Sequence, residues 1–371
     1  MTKRIKLLLL AAMIAFGIGS ALWPRKKNQP VDVPTVNAPA QPPYAAPALP
    51  QPQPVAAPGP VAEPARKFAS MGVMERNAQL MEIKQQDLAT IFRRWRDASR
   101  VDQDMMKQGA IATTLAYTMR ERTPSPELVE EMRQYVADGS NSLRERAGVI
   151  GVFGGAKTRE AVDFLLQVAT TIEDKELRQV ALAQITGVGA LWGDGSYHEE
   201  RSPALEEAWH ESRDPDLLIA AAVAIAKIGA PSAIESLLSA ALRDDGRDDV
   251  RKRAALGALD KVYTRNAVPP VAALLATLTA STPASTLAGD ILVGIGDPSA
   301  AKALLGWLQN ADASATIPVR DFVARTHTPS LLEAWSTALD SKVAFRSEQI
   351  RETIRAALIE YHQNHNSGSL K

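Results

Sequence analysis

The chain contains no cysteine. Thiol catalysis, cysteine-bound zinc and disulfides are therefore excluded together. So is a bacterial lipoprotein anchor, which needs a cysteine just after an apolar signal. Aromatic residues make up only 5% of the 371 positions, and alanine and leucine dominate the apolar ones. A β-sandwich needs β-branched and aromatic side chains, so this composition favours helices packed through small residues. An excess of either charge is also missing, with 42 Lys/Arg against 42 Asp/Glu. Along the chain the balance is uneven. Residues 1–67 carry eight basic and two acidic side chains, and the remainder carries 34 and 40. An acid excess repels a phosphate backbone, so no nucleic-acid partner is expected.

The N-terminus departs from the rest. Lys3, Arg4 and Lys6 precede a charge-free run from Leu7 to Trp23, and Pro24-Arg25-Lys26-Lys27 closes it. At the rise of an α-helix, 17 residues span about 26 Å, slightly short of a hydrocarbon core. Residues 1–27 are read as a signal anchor that enters the membrane through residues 7–23. A cleaved signal peptide, with Gly19 and Ala21 before the cut, is the alternative. The first reading gives a single-pass protein of the bacterial inner membrane with its folded part in the periplasm or outside the cell. The second gives a secreted protein. Residues 28–67 follow as a disordered tether. Thirteen prolines lie between Pro24 and Pro64, and proline fixes φ and removes an amide donor, which excludes helix and sheet alike.

Beyond the tether one pattern repeats. An apolar residue opens a helix, an Ala or other small apolar residue follows at +4, an apolar one at +8, Ile or Val at +11 and Gly at +12. The clearest unit has Leu217, Ala221, Ile225, Ile228 and Gly229, and runs on through Ile234, Leu237, Leu238 and Ala241. Another has Ala288, Leu292, Ile295, Gly296-Asp297-Pro298, Leu304, Leu305 and Leu308, and a third has Leu177, Ala181, Ile185, Val188 and Gly189. Units open at 143, 177, 217, 250, 284 and 315. Spacings of 4, 4 and 3 place the apolar residues on one helical face. Glycine closes the helix, and Asp-Pro or Ala-Pro opens the next. Asp138, Asp174, Asp214, Asp216, Asp248 and Asp249 precede units and suit helix N-termini. A single hairpin cannot bury its apolar face alone, so such units stack.

These units resemble HEAT repeats, in particular the short alanine-rich kind also found in phycobilisome lyases. The resemblance rests on Val250-Arg251 with Ala254, Leu177-Arg178 with Ala181, and Ile295-Gly296-Asp297-Pro298. It covers roughly residues 140–340 and implies an all-α fold, an α-solenoid of helix hairpins. Capping helices are expected over residues 68–142, with amphipathic stretches near 75–98, 102–121 and 126–137. Repeats are expected over 143–341, a C-terminal capping helix over 342–364 and a tail over 365–371. The unit at 315 has lost its small residues, with Val319 and Thr326 in their places.

No catalytic constellation, cofactor site or metal site emerges. His362 and His365 stand three apart near the C-terminus without a third ligand, and His198-Glu199-Glu200 is not a helical His-Glu-x-x-His arrangement. Arg93-Arg94-Trp95-Arg96 reads as a solvated helix face over a buried tryptophan, with contact to anionic lipid near the tether as the alternative. Protein-binding candidates are Trp192 and Tyr197, in an insertion between Gly189 and Pro203, and Lys302, Trp307 and Gln309. Aligning the units on their glycines puts Leu304, Leu305 and Leu308 in the core row. Trp307 then matches Ala240, off that row, so it is expected partly at the surface with Lys302 and Gln309. The competing expectation is that it fills the seam against the next unit. Trp209 and Trp335 align near Leu237 and should be buried. The expected function is a membrane-tethered, non-enzymatic scaffold that binds a protein or peptide of an envelope assembly along its stacked second helices. The alternatives are an enzyme accessory of the lyase type, which rests on fold analogy, and a purely structural envelope spacer.

Overall fold

The computed structural model describes residues 68–100, 105–188, 202–243, 249–340 and 343–366. The membrane segment, the tether and the insertion carrying Trp192 and Tyr197 lie outside them. The described residues form seventeen α-helices and no strand. They are α1 Val73–Lys84, α2 Leu88–Arg100, α3 Met105–Glu121, α4 Pro126–Ala137, α5 Leu143–Ala156, α6 Arg159–Thr171, α7 Lys175–Val188, α8 Ser202–Glu211 and α9 Pro215–Ile228. Then come α10 Pro231–Ala241, α11 Val250–Leu259, α12 Val268–Ala276, α13 Pro283–Ile295, α14 Pro298–Asn310, α15 Thr316–Ala324, α16 Pro329–Ala338 and α17 Glu348–Asn366.

Odd and even helices form two rows. In the odd row α1 packs on α3, α3 on α5, and so on to α11; α13, α15 and α17 continue it. In the even row α6 meets α8, and α10, α12, α14 and α16 follow one another. Between the rows most even helices pack on the odd helix that follows, as α6 does on α7 and α10 on α11. One buried apolar cluster runs the length of the stack from Ile83 to Leu358. Each unit contributes one strip and its neighbours close it, as the periodicity requires.

Caps set the helix starts. Asp214 accepts from the amides of Asp216 and Leu217 ahead of Pro215, and Asp297 accepts from Ala300 ahead of Pro298. Ser142 and Glu145 form a reciprocal capping box on α5. Asp138 does not start a helix. It ends α4 and turns the chain by accepting from Ser140, and Ser142 takes the capping role instead.

Glycine ends two units for two reasons. Gly229 and Gly296 close α9 and α13 at φ 72° and 62°, where a Cβ is disfavoured. Each also seats a threonine of the following unit. A Cβ on Gly229 would lie 1.7 Å from the Thr264 hydroxyl oxygen, and one on Gly296 would lie 2.8 Å from the Thr328 methyl. Thr328 in turn donates to the Gly296 carbonyl at 2.6 Å.

Two stretches fold differently from the expectation. The helix expected over 75–98 is two helices, because Asp87 accepts from the Thr90 amide and hydroxyl and starts α2 there. Residues 72–137 also continue the alternating stack, with α1, α3 and α5 in one row. At the far end α17 begins at Glu348 rather than near 343.

Candidate functional site: the odd-helix row and its cleft

The repeats are stitched by arginines. Arg146, fourth in α5, donates to the Val136 carbonyl at the end of α4 (2.6 Å) and pairs with Asp174, ahead of α7, at 3.5 Å. Arg178, fourth in α7, donates to the Ala169 carbonyl at the end of α6 (3.1 Å) and pairs with Asp214, the cap of α9. Each guanidinium thus joins an orphaned helix end behind it to a helix start ahead of it. In α9 the equivalent position is Leu218, and Arg251 of α11 reaches back to supply the end of α8. It donates to the Trp209, His210 and Ser212 carbonyls and lies over the Trp209 ring at 4.9 Å from the centroid. This is the physical content of the Val-Arg and Leu-Arg signatures.

Residues 162–260 match the family of HEAT repeats. The match takes in α7 to α11 and most of α6, and so includes Arg178 and Arg251 but not Arg146 of α5. Among solved structures, human deoxyhypusine hydroxylase in complex with glycerol aligns over 77% of this chain and 99% of its own at 15% identity, with a TM-score of 0.26. That likeness is too loose to bear on chemistry. No curated protein matches.

Exposed apolar side chains single out one face of the HEAT-like stack. Among the described residues the large ones are Val73, Met74, Met81, Met105, Met106, Tyr117, Ile219, Leu256, Tyr263, Ile317 and Ile359. All lie on odd helices except Tyr263, which follows α11 directly. Even helices turn polar residues outward, such as Glu235 and Ser239 on α10 and Glu333 and Ser336 on α16.

The odd row also opens at one place. Between α11 and α13 lies a cleft of about 410 Å³. Leu256, Leu259, Val262 and Tyr263 form one wall, and Leu287, Ile291, Val293 and Gly294 the other. Asp290 and Arg325 pair at its rim, beside Asp260 and His327. Leu256 and Tyr263 are 41% and 57% exposed, so apolar surface is presented at the mouth. Behind the cleft the even row stays closed through α10, α12 and α14.

The repeat pattern fails at this point, and that failure was the available signal. Counting from Val250, the +11 position holds Lys261 where the units at 177, 217 and 284 have Ile or Val, and +12 holds Val262 where those three have Gly; the unit at 315 departs too, with Thr326 and His327. Helix α11 therefore ends early, at Leu259, and the chain passes through a turn and a short 3-10 segment at Arg265–Ala267 before α12. The turn carries Tyr263 outward and buries Val262.

Sequence-derived candidates fare unequally. Lys302 is exposed and Gln309 half-buried on α14. Trp307 is not at the surface: it is 3% exposed, its indole N–H donates to the Leu278 carbonyl at 2.9 Å, and its ring sits 6.5 Å from that of Phe322 in the next unit. It fills the seam. The reason is that the row containing Ala240 is itself covered by the neighbouring hairpin, so being off the core row of one helix is not being at the surface of a stack. Trp209 and Trp335 are buried as expected, and Trp95 lies buried beneath the exposed Arg93 and Arg94. Among the described residues no group of three or more His, Asp or Glu side chains could hold a metal, and no helix is long and apolar enough to cross a membrane.

Proposed function

We propose that this chain is a non-catalytic binding scaffold that takes a protein or peptide along its odd-helix row, centred on the cleft between α11 and α13. The observation that carries this reading is the segregation of exposed apolar side chains. A solvated stack has no reason to confine them to one row, and apolar patches rimmed by charge are what protein-binding surfaces present. Extended faces of stacked repeats suit such binding. The first helices, not the second, are thus the proposed binding row. Sequence adds the setting: an apolar run at residues 7–23 and a proline-rich tether would hold the scaffold at a membrane, within an envelope assembly.

The test compares capture by three full-length baits from detergent-solubilised membranes, quantified by mass spectrometry. They are the natural chain, Leu256→Lys/Tyr263→Ala, and Lys302→Glu/Gln309→Lys on the even row. Leu256 and Tyr263 are exposed, so their double variant should melt within about 0.5 kcal/mol of the natural chain. A partner of the odd row is lost roughly tenfold or more with the first variant and kept with the second. A partner lost only with the second variant would return the binding face to the even helices, and an unchanged set of partners would refute the cleft as the site.

A further inference from the structure

The exposed apolar residues are not spread evenly along the odd row. Five of them, Val73, Met74, Met81, Met105 and Met106, belong to α1 and the start of α3. Met74 and Met81 lie seven apart, with exposed Ala78 between them, so they form one stripe of α1. Met106 lies against α1, its sulfur 3.2 Å from an Arg76 guanidinium nitrogen. The four methionines are 84%, 60%, 62% and 50% exposed. All nine methionines of the chain fall within residues 1–132. Unbranched, polarizable side chains of this kind adapt to irregular apolar partners.

Charge separates along the chain in the same way. Residues 68–122, spanning α1 to α3, carry nine Lys/Arg against seven Asp/Glu, whereas residues 123–371 carry 25 against 33. The excess of two positive charges here adjoins the excess of six in residues 1–67. Arg76 of α1 and Arg94 of α2 lie at the patch, Arg94 3.9 Å from Glu82, and the exposed Glu75 and Glu82 of α1 flank Met74 and Met81. The described chain begins beside the patch, with Phe68 buried and α1 opening at Val73.

We infer that this end of the stack is a membrane-docking surface, in which the α1 and α3 methionines enter the interface of an anionic bilayer and the neighbouring arginines face its head groups. Apolar side chains beside a basic surface are the combination that interfacial binding uses, with about 1 kcal/mol per basic residue near an anionic surface. The acidic remainder would be repelled by the same lipid, which orients the stack with α17 away from the bilayer. The inference rests on the reading of residues 7–23 as a membrane segment for its setting, though the docking itself is carried by the patch.

Full-length protein is mixed with phosphatidylcholine vesicles and, separately, with vesicles containing phosphatidylglycerol, floated, and footprinted with hydroxyl radicals. Flotation with both vesicle types, with oxidation of Met74, Met81 and Met105 reduced severalfold only on the anionic ones and Tyr263 unchanged, supports the docking surface and the membrane segment together. Flotation with anionic vesicles alone, with the same methionine protection, supports docking and overturns the membrane segment; without that protection it overturns both. Flotation with both but equal methionine oxidation overturns docking and leaves the segment standing, and flotation with neither overturns both. The exposed double variant Met74→Gln/Met81→Gln should keep the melting temperature and lose the protection of Met105 on anionic vesicles. Protection that follows protein concentration in lipid-free detergent would instead assign the patch to contact between two copies of this chain.

Discussion

Three positions show how much a single side chain decides in this stack. Gly229 combines a left-handed backbone with a hydroxyl packed where its Cβ would be. Gly229→Ala should therefore cost more than the ~1 kcal/mol typical of a left-handed site, on the order of 2–3 kcal/mol, since Thr264 must also move. Lys157 closes α5 in the same left-handed region, at φ 55°. Lys157→Gly removes that strain and should raise stability by about 0.5–1 kcal/mol, read from the urea midpoint at constant slope. If both substitutions destabilise, the shared left-handed geometry is not what governs these helix ends. Trp307 makes a third case. Trp307→Phe keeps most of the ring in the seam but strands the Leu278 carbonyl, for a loss of about 1–3 kcal/mol. No selective effect on partner capture should accompany it.

At the scale of elements, the arginine stitching links helix ends to pH. Burial would raise the Asp214 carboxyl, but the Leu217 and Asp216 amides and Arg178 outweigh it and hold it below the ordinary carboxylate range. Glu145 behaves alike, with burial outweighed by hydrogen bonds from Ser142, Tyr135 and Ser99. A carboxylate depressed in the folded state stabilises fully above its unfolded pKa, and that contribution fades as pH falls through the folded value. Asp214→Asn keeps a good cap but no charge for Arg178. Its destabilisation should be largest near neutrality and shrink as the pH drops below about 4, measured by chemical denaturation across that range. A pH-independent difference would mean the ion pair adds nothing beyond the cap. By contrast, the exposed Arg320–Glu360 pair should be worth under about 1 kcal/mol.

For the whole molecule, the first helix of every unit opened within two residues of where periodicity put it, because the apolar spacing that identifies a unit is also what buries it. The two rows could not be told apart in the same way. Whether Trp307 or Leu256 meets solvent depends on the neighbouring hairpin, and no single unit encodes that. The cleft was legible only as a defect, Lys261 and Val262 standing where an aliphatic residue and a glycine recur. The consequence extends along the stack. In a repeat array stability is a sum of unit and interface terms, so the weakest interface divides it into cooperative blocks. Among the described residues the odd row is continuous from α1 to α11 and again from α13 to α17, and only the even row bridges the gap, where α12 packs on α10 as well as on α13 and α14. The boundary should therefore fall in residues 260–267, between α11 and α12. Trp335→Ala, which empties a fully buried site in α16, should cost about 3–5 kcal/mol locally. Native-state hydrogen exchange should then show amides of α12–α16 opening far faster, while those of α5–α9 keep the protection of the natural chain. If α5–α9 lose protection equally, the stack is one cooperative unit, and the cleft is an indentation in its surface rather than a boundary between two halves.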